Sequence, residues 1–282
     1  MELFDTHCHI DVADFDADRE EVLARCQGLG VRHIAVPGYI ASAWPKLLEL
    51  CRTHPGLLPA PGLHPMYTAE HSPRQLRELE RLVAEGAVAA IGEIGLDYYI
   101  EDPDIEAQQY YLEAQVVIAK AAGLPLLLHI RKAHDPLTAT LRRLRFPHGG
   151  IAHAFNGSLQ QAQRLIEIGF KLGGCATVTN PGATRIRALF RELPLDSLVL
   201  ETDAPDIPGI RHRGERNSPE YLPEVLAALA EVRGEAMETL AERTTANAWA
   251  VFRRSRENLP QVPPPREVSS GTPGPPGAGW GN

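Results

Sequence analysis

Residues 88–130 read VAAIGEIGLDYYIEDPDIEAQQYYLEAQVVIAKAAGLPLLLHI. An apolar run opens the stretch, helical spacing fills Ile105 to Ala122, and after Gly123 a second apolar run extends from Leu124 to Ile130. Near-continuous apolar strands joined by a helix predict a parallel pair with the helix packed on the sheet. Gly123 stands where a left-handed residue relieves the end of a helix.

The unit recurs along the chain. Strand candidates are LFDTHCHI (3–10), RHIAVPG (32–38), LLPAPGLHP (57–65), VAAIGEIGL (88–96), LPLLLHI (124–130), GGIAHAF (149–155), FKLGGCATV (170–178) and LVLETDAP (198–205). Helical spacing between them includes residues 19–27, 44–52, 75–84, 105–122 and 159–168, with Gly28, Gly86, Gly123 and Gly169 at the expected C-caps. Eight such units predict an α/β fold, a closed (β/α)8 TIM barrel. No GxGxxG follows the first strand, as an open nucleotide-binding sheet would require. Two more helices are expected at 219–232 and 235–252. The barrel is assigned to residues 1–257, and the Pro/Gly-rich segment 258–282 is expected to be a disordered tail.

Composition narrows the class. With 44% hydrophobic and 23% charged residues in 282, the chain has the balance of a folded soluble protein. No apolar run approaches the roughly 18 to 20 residues that span a bilayer. Glu2 and Asp5 occupy the place of a signal's basic region, so a cytoplasmic protein is expected, with no membrane partner. Cys8, Cys26, Cys51 and Cys175 form no CxxC pair and are read as reduced thiols. A net charge of −8 argues against a surface that grips nucleic acid everywhere, while leaving room for a local basic site. A monomer or weak oligomer is expected.

In such a barrel the chemistry lies at the C-terminal ends of the strands. The predicted ends carry His7 and His9 (strand one), Glu93 (four), His129 (five), His153 (six) and Asp203 (eight). His7 and His9, two apart, share a strand face, with Cys8 on the other. They can hold one divalent ion together with Asp203. The two oxygens of Glu93 can bridge to a second ion, held by His129 and His153. Imidazole and carboxylate donors suit Zn²⁺ or Mn²⁺ and suit Mg²⁺ less well. Taken singly, each residue has an ordinary structural reading as a hydrogen-bonded histidine or a capping carboxylate; six of them on one rim point to a metal site. Asp5 shares the ligand face, and either orients an imidazole or accepts a backbone bond.

The pieces DTHCHID, GLHP, GEIGLD, LHIRKA, HAFNGS, ETDAP and NSPEYL occur in that order over residues 1–255. In this the chain resembles the TatD-like metal-dependent hydrolases of the amidohydrolase superfamily. The resemblance implies a TIM barrel and metal binding by His7, His9, Glu93, His129, His153 and Asp203. It also implies that His64 faces the substrate or the activated water. Lys132 and Asn156 depart from the commoner HSRDA and HCFSG patterns. Asp203 is the expected general base, beside Glu93, with His64 and Arg131 stabilising developing charge. The family's best-known activity implies a phosphodiesterase, a deoxyribonuclease of exonuclease type on single-stranded DNA. Arg131, Lys132, Arg211, His212 and Arg213 would supply local positive charge. The alternatives are an amide, ester or lactone hydrolase on the same dinuclear centre, and a non-catalytic binding protein on the same barrel.

Overall fold

The computed structural model describes residues 1–253, so the segment 258–282 lies outside the described residues. Eight strands run in chain order: β1 (Leu3–Asp5), β2 (Val31–Pro37), β3 (Leu57–Ala60), β4 (Ile91–Asp97), β5 (Leu126–Arg131), β6 (Gly150–Ala152), β7 (Phe170–Gly174) and β8 (Leu198–Leu200). Every ladder is parallel, β1–β2–β3 in one set and β4 to β8 in the other. Backbone bonds join the sets at both seams. Ala89 N–H donates to Pro59 O (2.8 Å) across one, and Thr6 N–H to Leu200 O (3.0 Å) across the other. The result is the closed TIM barrel read from the sequence.

The α-helices among the described residues are α1 (Arg19–Gly28), α2 (Trp44–Thr53), α3 (Pro73–Ala84), α4 (Ile105–Ala122), α5 (His134–Arg143), α6 (Leu159–Glu167), α7 (Thr184–Glu192), α8 (Leu222–Arg233) and α9 (Met237–Val251), with short 3-10 turns in the connections. Gly123 caps α4 in the left-handed conformation (φ 70°). The expected cap at Gly28 is corrected: Gly28 closes the last turn of α1, and the left-handed residue is Gly30 (φ 86°).

Two apolar layers hold the barrel. Most apolar side chains on the outer strand faces and inner helix faces form one continuous cluster. Inside the barrel, Phe4, Ala35, Leu58, Leu127, Ile151 and Val199 pack with Trp249 and Phe252 from the end of α9. Phe4 stacks on Phe252 at 5.3 Å and meets Trp249 edge-on at 5.0 Å. Burying each such ring contributes about 1.5–3 kcal/mol. The plug fills the end at which the strands begin, which leaves the opposite mouth for chemistry. Among the described residues, no helix is long and apolar enough to cross a membrane.

Candidate metal centre

Glu93 lies at the middle of the barrel mouth, almost fully buried. Its two oxygens face different partners. Oε2 is 3.2 Å from His7 Nε2 and 3.4 Å from His9 Nε2. Oε1 is 2.6 Å from His153 Nε2, 2.9 Å from His129 Nδ1 and 3.2 Å from His64 Nε2. Asp203 Oδ1 approaches His7 Nε2 at 3.5 Å and His153 Nδ1 at 3.7 Å. All six expected ligands and His64 thus converge, although they come from segments as far apart as residues 7 and 203.

Their places in the strands differ from expectation. Only His129 and Glu93 lie within strands, and Glu93 sits inside β4, four residues before its last. His7, His9, His153 and Asp203 lie beyond the ends of β1, β6 and β8. The chain stays extended after β1 because its backbone is shared between neighbours: Cys8 N–H donates to Ala35 O (3.1 Å) and His9 N–H to Ala204 O (2.8 Å). Side chains therefore still alternate, with Cys8 buried in the core behind the two histidines. At Gly95 a Cβ would fall on the His129 carbonyl, so glycine lets β4 and β5 approach closely enough for Glu93 to meet His129. Asp203 has a left-handed backbone (φ 61°), which Asp tolerates better than most residues, and its N–H donates to His7 O at 2.9 Å.

Asp5 takes the second of its two expected roles. Its Oδ1 accepts from the backbone N–H groups of His7 (3.2 Å) and Thr202 (3.0 Å), and its Oδ2 from the Thr202 hydroxyl (2.6 Å). It ties the His7 and Asp203 segments together by their backbones. Burial pushes its carboxyl up to about 7, against the pull of Thr202.

Three buried groups escaped the sequence reading. Asp97, at the end of β4, receives His129 Nε2 at 2.9 Å on Oδ2 and Tyr99 N–H at 2.8 Å on Oδ1. Glu201 accepts the Ala154 N–H at 2.5 Å and so fixes the residue after His153, which has φ 42°. A Cβ at Gly173 would fall on the Glu201 carboxylate, so only glycine leaves room for it. Asn217, in NSPEYL, donates through Nδ2 to the carbonyls of Thr202 (2.8 Å), Asp206 (2.7 Å) and Ile207 (3.2 Å), bracing the loop that carries Asp203.

The electrostatics favour cations on both sides of Glu93. Burial pulls His9 down, yet the Glu93 hydrogen bond with the Glu93 and Asp203 charges brings it up to about 9. Burial likewise lowers His153, and the Glu93 and Asp203 carboxylates raise it to about 10. Burial pushes Glu93 up, but the surrounding imidazoles hold it well below the carboxylate range. Burial, aided by His153, keeps His7 well below the usual imidazole value, and burial takes His64 down to about 4 against Glu93. Protons thus gather where divalent ions would displace them. The buried Nδ1 atoms of His7, His9 and His153 have no hydrogen-bond partner among the described residues. The triads His7–His9–Glu93, His7–His153–Asp203 and His64–Glu93–His129 each bring their donor atoms within 4.8 Å of one another. The donor set fits divalent metal.

Other expected groups are placed differently. His64 Nδ1 accepts the Met66 N–H at 3.2 Å, so its Nε2 carries the proton and faces Glu93 Oε1 at 3.2 Å. Arg131 lies over the Tyr99 ring at 3.9 Å and forms no ion pair among the described residues. His212 stacks on Tyr221 at 3.6 Å and lies 3.2 Å from Glu224 Oε1. Arg211 and Arg213 are exposed.

Residues 4–253 match the family model described as TatD related DNase. The chain belongs to the TatD-related DNase family. It is 40% identical over 250 residues to the uncharacterized metal-dependent hydrolase YjjV of Escherichia coli K12, covering 88% of this chain and 96% of that one. It is 33% identical over 258 residues to the 3'-5' ssDNA/RNA exonuclease TatD of Pantoea sp., covering 89% and 99%. The crystal structure of YjjV superposes with a TM-score of 0.86 over 89% of this chain and 98% of that one. An organophosphorus hydrolase from Deinococcus radiodurans, 14% identical with a TM-score of 0.62 over 89% and 92%, shares the fold. The TatD-related chain described here is a metal-dependent hydrolase.

Proposed function

We propose that the chain hydrolyses phosphodiester bonds of single-stranded nucleic acid from an end, with two divalent ions held around Glu93. The observation that carries the two-ion reading is the division of imidazoles between the Glu93 oxygens, His7 and His9 on one, His129 and His153 on the other. His7, His9, Asp203 and Glu93 Oε2 would hold the first ion; His129, His153 and Glu93 Oε1 the second. When bound, such ions make water a nucleophile at neutral pH and neutralise charge on phosphate oxygens.

The chain's own groups divide the remaining work. Asp203 has a carboxyl raised by burial against the charge of His153, and its side chain keeps 10% exposure at the mouth. It is placed to take a proton from the attacking water and return it to the leaving oxygen. His64, protonated on Nε2, donates to charge developing beside Glu93. Arg131, held by Tyr99, offers a planar fork to a phosphate oxygen. Tyr99 and Tyr67 are exposed at the mouth, and such rings serve unpaired bases as stacking platforms.

The test is incubation of the protein with single-stranded DNA and Mg²⁺, Mn²⁺ or Zn²⁺ in turn. Stepwise release of mononucleotides is expected with at least one metal. No release with any of them, together with turnover of an ester or lactone, would overturn the nuclease reading.

A further inference from the structure

A cleft of about 790 Å³ opens beside the Glu93 cluster, across the ends of β5, β6 and β7. It adjoins the metal centre through Ala154, which follows His153, and through Arg131, two residues after His129. Its volume falls within the range of small-ligand sites, about 300–1,000 Å³.

The charge of its walls runs against that of the chain. Arg131, Lys132 and Arg185 line the cleft of a protein with net charge −8. Arg131 and Lys132 have no carboxylate partner among the described residues, whereas neighbouring surface arginines are paired, Arg142 with Glu167 and Arg143 with Glu113. Asp135, the acid in the lining, is already engaged by Arg164 at 2.9 Å and Gln161 at 3.2 Å. Lys132 has a left-handed backbone (φ 58°), an unfavourable conformation for a lysine and one that marks functional turns. Arg185 donates to Asn156 O at 2.8 Å and Gly157 O at 3.2 Å, and so props the wall that follows His153.

Two further features favour an anion. The ten-residue helix α5 begins at this wall with Ala133 as N-cap and no side-chain cap, and the acid of its first turn, Asp135, is turned to Arg164 and Gln161. By contrast, Ser158 and Gln161 close the N-terminus of α6 with a capping box. At the first position of α5 stands His134, more than nine-tenths buried in the cleft lining, with an Nε2 that has no hydrogen-bond partner among the described residues.

We propose that this cleft is a second phosphate subsite, which takes a phosphate next to the one at the metal centre, with Arg131 and Lys132 as charge contacts and His134 and the α5 N-terminus as the polar wall. The proposal rests on the phosphodiester reading and specifies how the substrate is held. The phosphate is either an internal diester of a longer strand or a monoester at a chain end; the recognising chemistry is shared.

The experiment is equilibrium binding to the metal-loaded protein, which needs no turnover. Thymidine 3',5'-bisphosphate should bind at least tenfold more tightly than the tighter of thymidine 3'-monophosphate and 5'-monophosphate. In Lys132→Ala that ratio should fall toward one. An advantage retained when the 3'-phosphate is esterified by a second thymidine assigns the subsite to internal diesters; one lost on esterification assigns it to a terminal phosphate. A bisphosphate no tighter than the monophosphates, or a ratio unchanged in Lys132→Ala, would overturn the proposal. If binding shows the advantage while the DNA assay gives no release with any metal and an ester or lactone is turned over, the subsite stands and the nuclease reading fails.

Discussion

Replacing Asp97 by Asn tests whether the ligand state of His129 is set from behind. The substitution is nearly isosteric and lies in a fully buried place, so the fold is retained. Its effect follows from hydrogen-bond bookkeeping at one imidazole. In the wild type the Asp97 carboxylate accepts the His129 Nε2 proton at 2.9 Å, so the proton that Nδ1 donates to Glu93 Oε1 at 2.9 Å is the one an ion displaces to gain the lone pair. The introduced amide would keep its carbonyl oxygen on the Tyr99 N–H, where Asp97 Oδ1 now sits at 2.8 Å. Its NH₂ would then face Nε2, which must become the acceptor, and the ring proton would move to Nδ1. A protonated Nδ1 has no lone pair to offer an ion. Loss of such an outer partner costs about 10- to 100-fold in metal affinity, or about 1.4 to 2.7 kcal/mol. Calorimetric titration of metal-free protein with Mn²⁺ should show one of two sites weakened by that factor. Asp97→Asn should be at least as damaging as Asp97→Ala, which leaves the tautomer free. Wild-type affinity at both sites in Asp97→Asn would refute the reasoning.

Two further substitutions probe the supports of the centre. Asn217→Ala strands the buried Thr202 carbonyl, at about 1–3 kcal/mol for an unsatisfied group, and frees the part-buried carbonyls of Asp206 and Ile207 to water; urea unfolding should show a loss of about 1–3 kcal/mol, and an unchanged midpoint would count against the bracing role. Gly173→Ala places a methyl on the Glu201 carboxylate; overpacking of this kind costs about 1–3 kcal/mol. That cost should nearly vanish in a Glu201→Ala background, and strict additivity by urea unfolding would show that the two residues do not meet.

Much of this arrangement was legible along the chain because it is periodic or local. The βα alternation marks every strand, and the HxH pair places two imidazoles together whatever the exact strand end. The supports were not legible, because each depends on a partner far away in sequence and leaves no periodic trace. Asp97 meets His129 across 32 positions, Glu201 meets Ala154 across 47, and Asp5 meets Thr202 across 197. Glu93 was expected at a strand end, yet β4 continues to Asp97. That continuation brings Asp97 behind His129. Arg131 was open between a rim salt bridge and a phosphate contact by sequence alone. The structure places it on Tyr99, with no carboxylate partner among the described residues.

The most direct test of the account is the number of divalent ions bound per chain, measured by elemental analysis and calorimetric titration in the wild type and in Glu93→Ala. Because one Glu93 oxygen faces His7 and His9 and the other faces His129 and His153, the wild type should bind two ions. The variant, still folded by circular dichroism, should bind both far more weakly and lose hydrolysis. Two ions held at wild-type affinity in Glu93→Ala would contradict the account.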